Sequence, residues 1–192
     1  YGTLRSETFT AHPRVDPITG ELFFFGYEAG GLCSRDIAYG IADAEGNLTS
    51  EQWFEQPYCA TIHDFVITEK YAIWPIFPTT ADLDRLKAGG AHWAHQQELE
   101  SWLAIMPRYG KVEEMKWIKG PVGVSVFHEV YAYDDGEPMG MPWPTPLIQI
   151  TAVSQDSTDN TLGALSQAAA DFKRPAEPAA PPAAAWWAGR PG

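Results

Sequence analysis

Between residues 9 and 77, short runs dense in aromatic and β-branched residues are closed every few positions by Gly, Pro or Asp turns, a rhythm that suits strands better than helices. The turn Asp16-Pro17-Ile18-Thr19-Gly20 leads into Glu21-Leu22-Phe23-Phe24-Phe25-Gly26-Tyr27, which predicts a strand buried on both faces. Residues 36–42 and 48–55 flank Asp43-Ala44-Glu45-Gly46-Asn47, where Gly46 can take positive φ, and so predict a hairpin. Residues 63–68 and 71–77, separated by Glu69-Lys70, predict a second antiparallel pair. Pro75 and Pro78 cannot donate to a ladder and place the end of that pair at a sheet edge. With 9 Phe, 8 Tyr and 8 Trp beside 17 Gly and 16 Pro in 192 residues, the expected class is all-β, in a chain long enough for one ordinary domain.

Residues 81–103 change character. Leu83, Leu86, Leu99, Trp102 and Leu103 sit among charged residues without two-residue alternation, which predicts a peripheral loop or short helix. Strand signal returns at Lys116 with Trp117-Ile118, a Gly120-Pro121 turn and then residues 122–133. Side-chain alternation puts Val122, Val124, Val126, His128 and Val130 on one face. After Gly136 come Pro138, Pro142, Pro144 and Pro146, and the last 18 residues hold five Pro and seven Ala. The chain therefore divides at about 135, with residues 136–192 expected to be irregular or disordered because they bury too little apolar surface to offset ordering entropy.

A formal net charge of −12 repels nucleic acid and anionic lipid. Cys33 and Cys59, the two cysteines, lack C-x-x-C spacing and read as reduced thiols, with no disulfide framework and no thiolate zinc site. No apolar run approaches the ~20 residues of a membrane span. Tyr1-Gly2-Thr3-Leu4 has neither the basic region nor the apolar core of a signal peptide, so a cytoplasmic setting is expected. The missing initiator Met and the start in what reads as mid-strand suggest an internal piece of a longer protein. Hydrolase and dinucleotide signatures (G-x-S-x-G, H-E-x-x-H, G-x-G-x-x-G) are absent.

Three histidines lie in or beside predicted strands: His12 in Thr10-Ala11-His12-Pro13, His63 in Ile62-His63-Asp64-Phe65 and His128 in Val126-Phe127-His128-Glu129. Their spacings match or somewhat exceed a four-stranded propeller blade of about 40 to 50 residues. Inner strands of successive blades line one axis and would aim the three imidazoles at a common point. An all-imidazole set suits iron, zinc, copper or nickel and points away from calcium and magnesium. His92 and His95 could share a helix face, but no third ligand stands nearby in the sequence, and they read as surface residues.

The same positions resemble the carotenoid cleavage oxygenase family, most closely its lignostilbene dioxygenase branch. The matching text is Phe9-Thr10-Ala11-His12-Pro13-Arg14-Val15-Asp16-Pro17 with Thr19-Gly20-Glu21, then His63-Asp64-Phe65-Val66-Ile67-Thr68, then Phe127-His128. Asp84-Arg85-Leu86-Lys87-Ala88-Gly89 and Met106-Pro107-Arg108-Tyr109-Gly110 add weaker similarity, and the resemblance covers about residues 1–135.

The resemblance implies about three blades of a seven-bladed β-propeller with ferrous iron on its axis, and His12, His63 and His128 as three of the family's four histidine ligands. No His follows residue 128 to serve as the fourth. The carboxylates that orient the family's ligand rings have no assignable position here. Where the family usually has Asn after its third histidine, this chain has Tyr131. The text beyond residue 136 does not resemble the family, and a frameshifted or incomplete gene model would explain it.

The implied activity is that of an Fe(II)-dependent dioxygenase cleaving an electron-rich C=C bond with O2 to give two carbonyl products. Its substrate would be apolar, aromatic or polyene: a stilbene or related phenylpropanoid first, a carotenoid or apocarotenoid second. The competing reading is an inactive partial propeller with an incomplete metal site, which open sheet edges would make prone to aggregate.

Overall fold

Every run of high aromatic density in the first 55 residues becomes a strand, and each turn between them is closed by its own side chains. The computed structural model describes residues 3–129 and 132, with the backbone of 152–153. β1 (Arg14–Val15), β2 (Leu22–Tyr27), β3 (Asp36–Ala42) and β4 (Leu48–Glu55) form an antiparallel sheet in chain order. Asp16 Oδ1 accepts from the Ile18 and Thr19 amides at 2.8 and 3.1 Å, and Gly20 (φ 75°) completes that corner. Asp43 Oδ1 accepts from the Glu45 and Asn47 amides in the β3–β4 loop, where Gly46 takes φ 86°. At Gly40 a Cβ would stand 2.2 Å from Phe24 Cζ, so the bare backbone makes room for the aromatic ring of the neighbouring strand.

The second sheet, ordered β10-β9-β6-β5, holds β5 (Val66–Ile67), β6 (Tyr71–Ile76), β9 (Glu100–Pro107) and β10 (Lys116–Val122). Between β6 and β9 in sequence lie β7 (Thr79–Ala81) and β8 (Trp93–His95), which pair with each other, and α1 (Leu83–Lys87). Asp82 caps α1 by accepting from the Arg85 amide at 2.7 Å. β11 (His128–Glu129) pairs with β12 (Ala152–Val153). The described architecture is thus all-β, with one short α-helix and a single 3-10 turn at Val112–Glu114.

One core joins the two sheets. Phe23, Phe25, Ile37, Tyr39 and Ile41 face Phe65, Ala72, Trp74, Ile76, Ala104 and Met106. Trp74, fully buried, meets Tyr39 edge-on at 4.9 Å and Phe54 at 5.1 Å between ring centroids. The far face of the second sheet buries Val66, Tyr71, Ile73 and Ile105 against Leu103 and Ile118. β6 therefore has no solvent face and reads as an unbroken apolar run.

Three expectations are corrected. Of residues 81–103, expected as a peripheral loop or short helix, the helix is present as α1, but residues 100–103 open β9, a central strand buried on both faces over Ala104–Met106, which erases the alternation that would mark it. Gly120 and Pro121 lie within β10, at a register shift between Lys119 and Val122, not in a turn. The continuous strand expected over 122–133 is broken, because Gly123 takes φ 68° and the chain rejoins a ladder only at His128. The edge expected at the end of the 63–77 pair is found locally: β6 as a whole lies inside its sheet, but at Pro75 its ladder partner is Leu103 of β9 alone. Pro75 is tolerated there because β5 pairs only with Ala72 and Ile73, leaving the ladder on that side short of the proline. Val130 and Tyr131, the boundary at 135, and the Pro- and Ala-rich tail expected to be disordered lie outside the described residues.

Candidate metal centre

His12, His63 and His128 arrive from three different parts of this framework. The Thr10 amide donates to Phe25 O at 2.7 Å, laying the segment across β2, and Thr10 Oγ1 accepts from the His12 amide at 3.0 Å. His63 stands between Ile62 and Phe65, both in the shared core, so its backbone is anchored on either side. His128 opens β11.

The three rings form a nearly equilateral triangle, with centroids 4.6, 4.9 and 4.8 Å apart and interplanar angles of 67°, 87° and 77°. One ring nitrogen from each lies within 4.8 Å of the other two. The Nε2 atoms of His12 and His63 are 2.8 Å apart, a hydrogen-bond distance and also close to the separation of neighbouring ligands on one ion with metal–N bonds of about 2.0–2.1 Å. Phe127 stacks on His63 at 3.8 Å and 18°, fixing the ring plane. Desolvation holds the His63 imidazole below its ordinary range, and His12 and His128 push the same way. The neutral ring is the ligating form, so the donor set fits a borderline divalent ion.

Behind the triangle lies an ionic clasp that the sequence reading did not assign. Asp64, 3% exposed in its side chain, accepts from Arg14 Nη2 at 2.6 Å, the Phe65 amide at 2.8 Å and the Glu129 amide at 3.2 Å. Arg14 also donates to Phe65 O at 2.9 Å and Glu129 O at 3.1 Å. Asp64 Oδ2 lies 3.8 Å from His128 Nδ1, an ion-pair distance longer than a hydrogen bond. A buried carboxylate thus ties β1, the His63 segment and β11 together beside two of the rings. Burial, and then the Asp64 carboxylate, push Glu129 up to about 8 against the opposing pull of Arg14. Arg14 and Asp64 are neighbours in the motifs that carry His12 and His63, which was the available signal. Thr61, Pro75, Phe77 and Val126 line a cleft running to His63 and Glu129. His92 and His95 take no part in this triangle.

The sequence matches the family model described as retinal pigment epithelial membrane protein (RPE65) over residues 1–185. The chain belongs to this carotenoid cleavage oxygenase family. Among its relatives, an isoeugenol monooxygenase of Pseudomonas nitroreducens is 46% identical over 135 residues, 70% of this chain and 28% of the relative. Lignostilbene-alpha,beta-dioxygenase isozyme III of Sphingomonas paucimobilis is 38% identical over 145 residues, 74% of this chain and 30% of the relative. The crystal structure of Pseudomonas brassicacearum lignostilbene dioxygenase superposes with a TM-score of 0.63 at 41% identity, covering 68% of this chain and 27% of that one. The chain therefore spans somewhat over a quarter of the length of these relatives. Carotenoid cleavage oxygenases are generally iron-dependent, and the three imidazoles are a donor set that iron accepts.

Proposed function

We propose that this chain carries part of the Fe(II) centre of a dioxygenase that cleaves an electron-rich C=C bond with O2, with His12, His63 and His128 as iron ligands. The observation that supports this most directly is the convergence of the three rings from segments far apart in sequence. Residues 1–135 would then contribute about three blades of a seven-bladed propeller, each ligand standing near the common axis.

Ferrous iron, when bound, supplies the capacity to activate dioxygen beside an apolar substrate. The chain's own residues do the rest. The three neutral rings leave the ion cationic, Phe127 holds the plane of His63, and the Arg14–Asp64 clasp keeps the His63 and His128 backbones in register. Pro75, Phe77 and Val126 give the adjoining cleft an apolar wall on one approach to His63. The relatives' names point to isoeugenol and lignostilbene, so the preferred substrate class is a stilbene or related phenylpropanoid, with carotenoids and apocarotenoids second.

The test is the iron content, by mass spectrometry, of the chain refolded anaerobically with ferrous ion, beside a control with His12, His63 and His128 all changed to Ala. Near-stoichiometric iron that the control lacks is the expected result, and the loaded chain is then screened with stilbenes, isoeugenol and apocarotenoids. Iron no higher than in the control overturns the ligand assignment.

A further inference from the structure

Among the described residues, one other group of side chains brings metal-ligating atoms within mutual reach: Glu28, Cys33 and His92, whose carboxylate oxygen, Sγ and ring nitrogen all lie within 4.8 Å of one another. None of the three belongs to the histidine triangle. Glu28 directly follows β2, Cys33 lies in the β2–β3 loop, and His92 directly precedes β8.

The arrangement is held from several sides. His92 Nε2 is 3.0 Å from Glu28 Oε1, and the Cys33 amide donates to the same oxygen at 2.6 Å. Glu28 and Cys33 are the two non-glycine residues with positive φ among the described residues, at 52° and 58°. The loop that keeps them there is closed by its own amides: Gly31 donates to Glu28 O and Ser34 to Gly31 O, each at 3.0 Å. On the other wall, Arg85 donates to the carbonyls of Ala91 and His92 at 2.8 and 2.9 Å, which fixes the backbone that presents the imidazole. The Glu28 side chain is 12% exposed and that of His92 31%, so an ion could enter from solvent and still be largely enclosed.

We propose that Glu28, Cys33 and His92 form a second metal site, one that takes Zn2+ and is chemically distinct from the three-histidine centre. Thiolate, imidazole and carboxylate together are a zinc donor set, whereas calcium and magnesium require oxygen ligands. Bonds of about 2.0–2.3 Å around a tetrahedral zinc ion separate its ligand atoms by about 3.3–3.6 Å. The present spacing reaches that with side-chain rotations of about 1 Å, and the 3.0 Å pair is already close enough. Three protein ligands leave the fourth position to water or a small ligand. Burial and the nearby Glu28 carboxylate push the Cys33 thiol up, and binding displaces the Sγ proton to solvent as the thiolate joins the ion. Cys59, whose thiol donates to Ser34 O at 3.2 Å, serves as an internal control.

The experiment titrates the reduced chain with Co2+ as a spectroscopic probe of the zinc site, reading the thiolate-to-cobalt charge-transfer band in the near ultraviolet. It is run on the natural sequence and on the variant with His12, His63 and His128 changed to Ala. One equivalent of Co2+ should develop the band in both backgrounds, and one equivalent of Zn2+ should remove it. Cys33→Ser should abolish it, and His92→Ala or Glu28→Gln should weaken cobalt affinity by about tenfold or more. Cys59→Ser should leave it intact. No band on the natural sequence, a band that survives Cys33→Ser, or a band lost only with Cys59→Ser overturns the proposal. Because the triple-histidine variant isolates this site, its failure and that of the iron assignment are read separately.

Discussion

The first sheet is a local meander, whereas the second is stitched together from distant segments. β1 to β4 each pair with the next strand in sequence, across turns whose Asp and Gly residues close them internally. β6 instead pairs with β9 after the chain has left to build β7, α1 and β8. Yet the two sheets do not form separate cores. Their inner faces interleave in one apolar cluster, and Arg108, just beyond β9, reaches back to the first sheet. Its guanidinium pairs with Asp16 at 2.8 Å and lies 4.9 Å from the Phe23 ring, while its carbonyl accepts from Tyr39 Oη at 3.0 Å. Two ways of building a sheet have therefore produced a single packed unit, and the histidine triangle depends on both halves of it.

The sharpest way to break this picture is at Trp74. Trp74→Ala should cost about 3–5 kcal/mol and lower one shared transition in urea unfolding, because the ring fills the space between both sheets. Two separated transitions would show that the sheets unfold independently. Gly40→Ala should be milder, about 1–3 kcal/mol, since the nearest obstacle to the methyl group is the Phe24 ring, which is stacked on the half-exposed Phe9 and must shift to admit it. A loss as large as that at Trp74 would mean the meander tolerates no adjustment.

The smallest effect concerns the bridge itself. Burial alone would push the Asp16 carboxyl up, but the Ile18 and Thr19 amides and the Arg108 guanidinium outweigh it and hold the group below its ordinary 3.8. A carboxyl depressed in the folded state stabilises that state above about pH 4, and the contribution is lost as pH falls through the lower folded-state value. Asp16→Asn should flatten that part of the acid limb in a pH series of urea midpoints. An unchanged limb would remove Asp16 from the bridge.

The same contrast explains what could be read from the amino-acid sequence. The bounds of β3 and β4 were legible residue for residue because their pairing is local and their turn chemistry explicit. β9 was not, since Glu100–Pro107 carries apolar residues on both faces and its partner strand lies beyond an insertion. His12, His63 and His128 were legible as a group through the motifs around them. The Arg14–Asp64 clasp was not, because it is a contact across 50 positions with no periodic trace. His92 read as a surface residue for a similar reason, its partner Glu28 standing 64 positions away.

The pairing of β6 with β9 also bears on what each sheet costs to close. Closing a short turn costs the unfolded chain little entropy, while bringing the ends of a long excursion together must precede any reward from the contacts it makes. The pairings of the meander are the cheaper to close, although its apolar face is covered only when the second sheet packs on it. The second sheet needs β9, and β9 in turn leads to β10 and β11, on which His128 is carried. The three imidazoles meet only through contacts distant in sequence, so an unfolded chain offers ferrous ion no assembled site.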